Sequence, residues 1–292
     1  MVKSTYSDEY MTLDHLSLIT TPIELYKGEE YIGQGTGFFY CAQANDVNSP
    51  VFLVTNFHVL TGFSPNDNEP PIGDNIFFYI HEDYNTPGQF KKVHYRLFRN
   101  GKSVWVTSKK YPLADVAIIP LTNGVIENMK VISEKWINKN IKKKPTSLVT
   151  LIGYPHGFYD QVNFLPIYKS GHIASEPDVD FEDQPNFVVD VSNYPGMSGS
   201  PVFMIKSGAW ETEDGHIMGG ETQEFLGIFS ADYEKSEKYF LTNFLDGSID
   251  AAKGIFIPKS LELGVVWKAS ILVEMVKEFD VNTYNREILG NK

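Results

Sequence analysis

Val51-Phe52-Leu53-Val54-Thr55-Asn56-Phe57-His58-Val59-Leu60 is the stretch that decides the fold. Its first four residues form a short apolar run rich in β-branched and aromatic side chains, which reads as a strand. Thr55 and Asn56 close the run with turn chemistry, and the ionisable ring of His58 follows at once. Two other segments have the same build. Ala114-Asp115-Val116-Ala117-Ile118-Ile119 puts an acid at the entry to a buried strand, and Pro195-Gly196-Met197-Ser198-Gly199-Ser200-Pro201-Val202 puts a serine in a glycine turn before another.

Working outward, short β-type runs recur along the chain. They fall at Leu16–Leu25, Gly35–Cys41, Val51–Thr55, Ile76–His81, Lys91–Phe98, Ser103–Thr107 and Val116–Leu121, then resume at Ser147–Gly153, Lys169–Ser175, Phe187–Val191, Pro201–Ile205, Phe225–Ser230 and Ile255–Pro258. Breakers stand between them, among them Asn48-Ser49-Pro50, Thr86-Pro87-Gly88, Asn100-Gly101 and Asp214-Gly215. So many strands with frequent turns predict an all-β architecture of sandwich or barrel-pair type. The polar, Lys-rich stretch Gly124 to Pro145 reads as a linker between two β halves, with a turn of helix around Ser133–Ile137. Helical spacing of Ile271, Leu272, Met275, Val276 and Phe279 predicts a helix over Ala269–Phe279, capped by Ser270. No internal sequence repeat stands out.

Composition narrows the function classes. The chain has 292 residues, 42% of them apolar, and a net charge of −12. A chain of this length buries roughly 75% of its unfolded surface, so its core needs no staples. The negative balance repels polyanions, which argues against nucleic acid as a partner. The one basic run, Lys139 to Lys144, has no interleaved aromatics and reads as a solvated loop. A single cysteine, Cys41, excludes an intrachain disulfide framework and reads as an inert core thiol. Met1 to Leu18 does not read as a signal peptide, and no apolar stretch approaches the roughly 20 residues of a membrane span. A reducing, cytoplasmic setting is the expectation. No His-Glu-x-x-His, Cys-x-x-Cys or phosphate-loop motif is present, so no metal or cofactor is expected. The glycine-rich stretch Gly33 to Gly37 runs into a strand, not into the helix a dinucleotide would need.

A serine hydroxyl near neutrality needs an adjacent imidazole to take its proton, and the imidazole needs a carboxylate to fix its tautomer. His58, Asp115 and Ser198 supply these three groups in that chain order, and the glycines around Ser198 allow turns that aim N–H groups at a developing oxyanion. The order is that of the chymotrypsin-like fold.

Here the chain resembles the trypsin-like serine peptidases, most closely the bacterial HtrA-like group, without a PDZ domain. Gly35-Thr36-Gly37-Phe38-Phe39 with Thr55-Asn56-Phe57-His58-Val59 is similar to that family's GSGF and TNxHV pair. Ala114-Asp115-Val116-Ala117 is similar to its DLA strand. Ile152-Gly153-Tyr154-Pro155-His156-Gly157 and Ser170-Gly171-His172-Ile173-Ala174-Ser175 resemble its GxPxG and GxVS segments. Asp190 followed by Pro195 to Pro201 resembles its TDAxxNPGNSGGP block, and all five fragments come in one consistent order. The resemblance implies two six-stranded antiparallel β-barrels and a C-terminal helix. It divides the chain into a first barrel over 1–125 carrying His58 and Asp115, a linker over 126–146, a second barrel over 147–268 carrying Ser198, and a helix and tail over 269–292. It implies Ser198 as nucleophile, His58 as general base then acid, Asp115 as its orienter, and an oxyanion hole from the N–H groups of Gly196 and Ser198.

Some positions depart from the family. Met197 stands where digestive relatives carry an aspartate that pairs with an N-terminus freed by cleavage, so that route of activation is not expected. The insertion Tyr233–Lys253 has no counterpart in a minimal protease and is read as a lid or docking loop. The primary pocket falls at Ser192, with Ser230–Asp232 as a wall; Ser192 is uncharged, and Phe229 replaces the histidine of glutamyl-specific relatives. Asp190 is read as a structural group bonded to the loop that holds Ser198. His15, His81, His94, His156, His172 and His216 are read as satisfied structural groups, with His156 and His172 able to line the cleft. The leading expectation is a serine endopeptidase acting on protein or peptide substrates and regulated by an activating partner or trigger. A latent or non-catalytic peptide-binding module on the same fold is the alternative. An α/β-hydrolase is disfavoured, because Ser200 breaks Gly-x-Ser-x-Gly and the helices between parallel strands are missing.

Overall fold

The computed structural model describes residues 13–44, 49–82, 88–121, 129–192, 194–242 and 249–290, and for 231–260 the backbone alone. The first half holds β1 Thr20–Lys27, β2 Glu30–Tyr40, β3 Val51–Thr55, β4 Asn75–His81, β5 Phe90–Arg96, the short β6 Phe98–Arg99, β7 Lys102–Ser103 and β8 Val106–Thr107, and β9 Ala117–Leu121. Seven of these form one curled antiparallel sheet in the order β5-β4-β1-β2-β3-β9-β8. The interior strand β3 is buried along its whole length, as its unbroken apolar run requires. The edge strand β5 alternates instead, Val93 and Tyr95 inward, Lys92, His94 and Arg96 outward.

The second half holds β10 Leu148–Gly153, β11 Ile167–Ile173, β12 Asn186–Asp190, β13 Pro201–Glu211, β14 Ile217–Thr242 and β15 Ile249–Lys268. These six close into a barrel, β10-β11-β12-β15-β14-β13. The expected barrel pair is therefore met as one closed six-stranded barrel and one seven-stranded half-barrel sheet. The insertion Tyr233–Lys253 has a paired backbone over its described part: its arms extend β14 and β15 into a ribbon that runs from Glu234 opposite Ser260 to Thr242 opposite Ile249. Its tip, 243–248, lies outside the described residues.

Local signals explain the other departures. The expected strand Leu16–Leu25 opens as a helical turn, α1 His15–Leu18, because the Asp14 carboxylate accepts the N–H of Leu16 at 2.8 Å, and β1 starts only at Thr20. The expected turn near Ser133 is a 3-10 turn over Glu134–Trp136. A second short helix, α2 Phe57–Thr61, follows β3, and α3 Ala269–Glu278 grows directly out of β15. The N-cap of α3 is Lys268, not Ser270, and no side chain caps it; the Lys268 N–H is taken by Pro185 O at 2.9 Å. The Lys139–Lys144 run is clasped rather than free. Lys142 pairs with Glu211, and Lys143 reaches both carboxylate oxygens of the buried Glu224 at 3.1 and 3.3 Å.

Three apolar clusters sit one in each half and one between them. The cluster between the halves joins Phe38, Phe52 and Val54 to Ile152, Phe203, Phe225 and Trp267, and α3 adds Ile271, Leu272 and Met275. This shared seam fixes the relative placement of the halves, and the candidate site lies along it. Among the described residues no helix is long and apolar enough to cross a membrane.

Leu272 is wholly buried in the seam. Leu272→Ala should lower the unfolding free energy by about 3 kcal/mol in denaturant titration, with an unchanged slope. Ser270→Ala should change it by less than about 0.5 kcal/mol. A loss above about 1 kcal/mol at Ser270 would restore it as the cap.

Candidate active site

Asn56, in extended backbone, carries the chain from β3 into α2, and Gly62 at φ +83° closes that turn, so His58 is held one residue inside a rigid corner. Asp115 precedes β9, the neighbour of β3. The pairing of β3 with β9 thus brings the two residues together. His58 Nδ1 lies 2.6 Å from Asp115 Oδ2, and the His58 backbone N–H donates to Oδ1 at 3.0 Å. The Asn56 amide donates to the Asp115 carbonyl at 2.6 Å, and the Ser230 hydroxyl, from β14 of the other half, donates to Oδ2 at 2.6 Å. Burial pushes the Asp115 carboxyl up, but the His58 ring, Ser230 and the His58 backbone together hold it below its ordinary value. An ionised Asp115 accepts the Nδ1 proton, which leaves the Nε2 lone pair of His58 free to act as a base.

Ser198 sits in a turn whose carbonyls are all engaged. Pro195 O takes the N–H of His156 at 2.7 Å, and Gly196 O takes the hydroxyl of Thr36 at 2.7 Å. Met197 O takes the N–H of Ser200 at 3.0 Å, and Ser198 O takes the N–H of Thr36 at 2.8 Å. The peptides are trans and planar, so a carbonyl fixed on one side turns its N–H to the other. Among the described residues the N–H groups of Gly196 and Ser198 donate to nothing. Gly196 at φ +95° and Gly199 at φ +89° need backbone that L side chains rarely adopt. A Cβ on Gly199 would also fall 2.0 Å from Thr36 O and 2.5 Å from Thr55 Oγ1. The Met197 side chain is buried in the core of the second barrel, an apolar anchor at the position read as lacking an ionic one.

The three residues therefore converge on the seam. The Gly199 N–H bonds Phe229 O at 2.9 Å, and the next residue, Ser230, holds Asp115. The His58–Asp115 link is made; among the described residues no hydrogen bond joins Ser198 to His58. Ser198 is half-buried and the His58 side chain is 28% exposed, so both face solvent.

The pocket residues fare differently. Ser192 is exposed. Ser230 is buried with its hydroxyl committed to Asp115, so it is a carboxylate partner before it is a wall. The Asp232 side chain lies outside the described residues; its backbone stands opposite Gly264. Asp190 is exposed, and among the described residues its carboxylate does not bond the Ser198 loop, because it ends β12 on the outward face. His156 borders the turn through its N–H, and Tyr31 stacks on its ring at 6.3 Å. His172 is exposed opposite Asp190, while His81 is buried against Phe164 O. Thr36, Asn56 and Ser230 are the site residues whose contacts sequence reasoning missed. A cavity of about 570 Å³ lies under α3, lined by Phe187, Phe225, Glu224 and Val273, and includes none of the three candidate residues. Among the described residues no group of His, Cys, Asp or Glu side chains could hold a metal ion.

No curated protein matches the sequence. The fold is similar to three solved structures. An inactive-form mutant of Rv3671c from M. tuberculosis H37Rv is 14% identical, with 90% of this chain and 86% of that one covered and a TM-score of 0.43. The inactive form of the Rv3671c protease is 16% identical, with 90% and 89% covered and a TM-score of 0.44. A serine endoprotease from Yersinia pestis is 15% identical, with 90% and 64% covered and a TM-score of 0.45. The family model described as a trypsin-like peptidase domain matches residues 35–210, which takes in His58, Asp115 and Ser198, and the chain belongs to that family.

Proposed function

We propose that the chain is a serine endopeptidase that cleaves peptide bonds through an acyl-enzyme on Ser198. The observation that carries this reading is the bidentate hold of Asp115 on His58 beside a serine turn with two free N–H groups. Ser198 Oγ attacks the scissile carbonyl carbon while His58 Nε2 takes its proton. The carbonyl π electrons move to oxygen, which the N–H groups of Gly196 and Ser198 receive. Collapse of the tetrahedral adduct breaks the C–N bond, and His58 returns the proton to the leaving amine. Water then repeats the sequence on the ester and frees Ser198. Asp115 keeps its charge throughout and stabilises the imidazolium.

Engagement of all four turn carbonyls supports an oxyanion site formed before substrate arrives. The step left for an activating partner or trigger is the closing of Ser198 onto His58. Exposed, uncharged Ser192 gives the primary pocket no charge preference. The alternative, a peptide-binding module without catalysis, rests on the missing Ser198–His58 bond.

A fluorophosphonate probe should label the wild type and not Ser198→Ala, and a peptide library should be cleaved by the first alone. Binding without cleavage or labelling by the wild type, in the presence of its partners, decides for the binding module; equal labelling of Ser198→Ala overturns the assignment of the nucleophile.

Asp115→Asn should cut kcat about 10³- to 10⁴-fold with little change in KM, because the amide presents the wrong partner to Nδ1. A loss under about tenfold would remove Asp115 from the reading.

The folded Asp115 carboxyl is depressed from its ordinary value of 3.8. The stability its charge contributes is therefore present above that value and lost as pH falls through the folded one. In denaturant titrations the advantage of wild type over Asp115→Asn should stay undiminished from pH 7 to about 4 and shrink below. An advantage already fading between about pH 7 and 5 would contradict the depressed carboxyl.

A further inference from the structure

We infer that Thr36 of the first half is the positioning residue of the oxyanion turn in the second, an inference that rests on the peptidase reading. Thr36 is wholly buried, and every polar atom it owns is used at the site. Its N–H holds Ser198 O at 2.8 Å. Its hydroxyl donates to Gly196 O at 2.7 Å and accepts the N–H of Tyr154 at 2.9 Å. Its carbonyl accepts the Thr55 hydroxyl at 2.7 Å, three residues before His58. One residue of β2 thus spans from the strand that delivers the base to the Gly196–Met197 and Ser198–Gly199 peptides, one on each side of the peptide that carries the Ser198 N–H.

The hydroxyl matters because of what the Gly196–Met197 peptide would otherwise do. With φ at +95°, Gly196 has no side chain to restrict rotation of its flanking peptides, and two hydrogen bonds fix that plane: the short one from the Thr36 hydroxyl to Gly196 O at 2.7 Å and the longer one from the Met197 N–H to Tyr194 O at 3.2 Å. Tyr154 N–H supplies the other half of the constraint: a hydroxyl that accepts from Tyr154 is left with its proton aimed at Gly196 O. Tyr154 belongs to the same turn as His156, whose N–H holds Pro195 O. The 154–156 turn thus holds the peptide that carries the Gly196 N–H, and Thr36 holds the peptides on either side of the one that carries the Ser198 N–H, whose own carbonyl, Met197 O, is taken by Ser200. The sheet of the first half in this way supports the turn that forms the oxyanion hole of the second.

Thr36→Val keeps shape and removes the hydroxyl; Thr36→Ser keeps the hydroxyl. Thr36→Val should lower kcat about 100-fold, the scale of losing one oxyanion donor, with KM within about threefold. Its affinity for a peptide boronate, which mimics the tetrahedral adduct, should fall by a similar factor. Thr36→Ser should restore both to within about fivefold of wild type. A merely structural role would lower the melting temperature and leave kcat per titrated site and boronate affinity unchanged, and that result overturns the inference. Crystal structures read the same point without catalysis: Gly196 O should keep its orientation in Thr36→Ser and turn in Thr36→Val. An unmoved turn in Thr36→Val overturns the inference even if the wild type cleaves nothing, and a turned one supports it in either case.

Discussion

The structure depends on a carboxylate kept ionised away from water. A buried charge without partners costs several kcal/mol, so Asp115 is tolerated only because donors converge on it. Two come from His58 and one from Ser230. His58 lies in the first half and Ser230 in the second, so satisfying one charge requires the halves to meet at one register. Sliding the seam by a strand residue would strand the carboxylate and lose its hold on His58 together. The ionic requirement and the geometry of the base are one constraint.

The apolar seam makes that constraint affordable to the fold. Phe38, Phe203, Phe225 and Trp267 pack between the halves and supply non-directional attraction, while the hydrogen bonds at Asp115 and Thr36 select the register. Met197 extends the same logic into the serine turn. Burying a methionine side chain contributes about 2 kcal/mol, whereas a buried ion pair often breaks even against desolvation. An apolar anchor also needs no ammonium released by cleavage, so the turn is held by folding alone.

The sequence carried the parts of this design that are local. The run Val51–Thr55 and the glycine turn at Ser198 are signals a few residues long, and their strands and turn appear where expected. Asp14 shows a local signal misread: its cap bond converts the head of an apolar run into α1. Asp190 shows another, because its place at the outward end of β12 leaves it away from the serine loop. What could not be read are bonds between distant segments. Thr36 reaches Gly196 across 160 residues and Ser230 reaches Asp115 across 115, and neither residue type differs from an ordinary strand threonine or serine. Lys143 looks like one member of a solvated run until β14 presents buried Glu224 to it.

Burial is graded along the reacting chain of groups. The Asp115 side chain is 12% exposed and that of His58 28%, while Ser198 is half-buried at the mouth. The fixed negative charge thus lies in the lowest dielectric, where its attraction for an imidazolium is strongest. On the proposed peptidase reading, the two groups that would exchange a proton with substrate are the more exposed ones. The His58–Asp115–Ser230 links are set by the fold, while among the described residues Ser198 makes no hydrogen bond to His58.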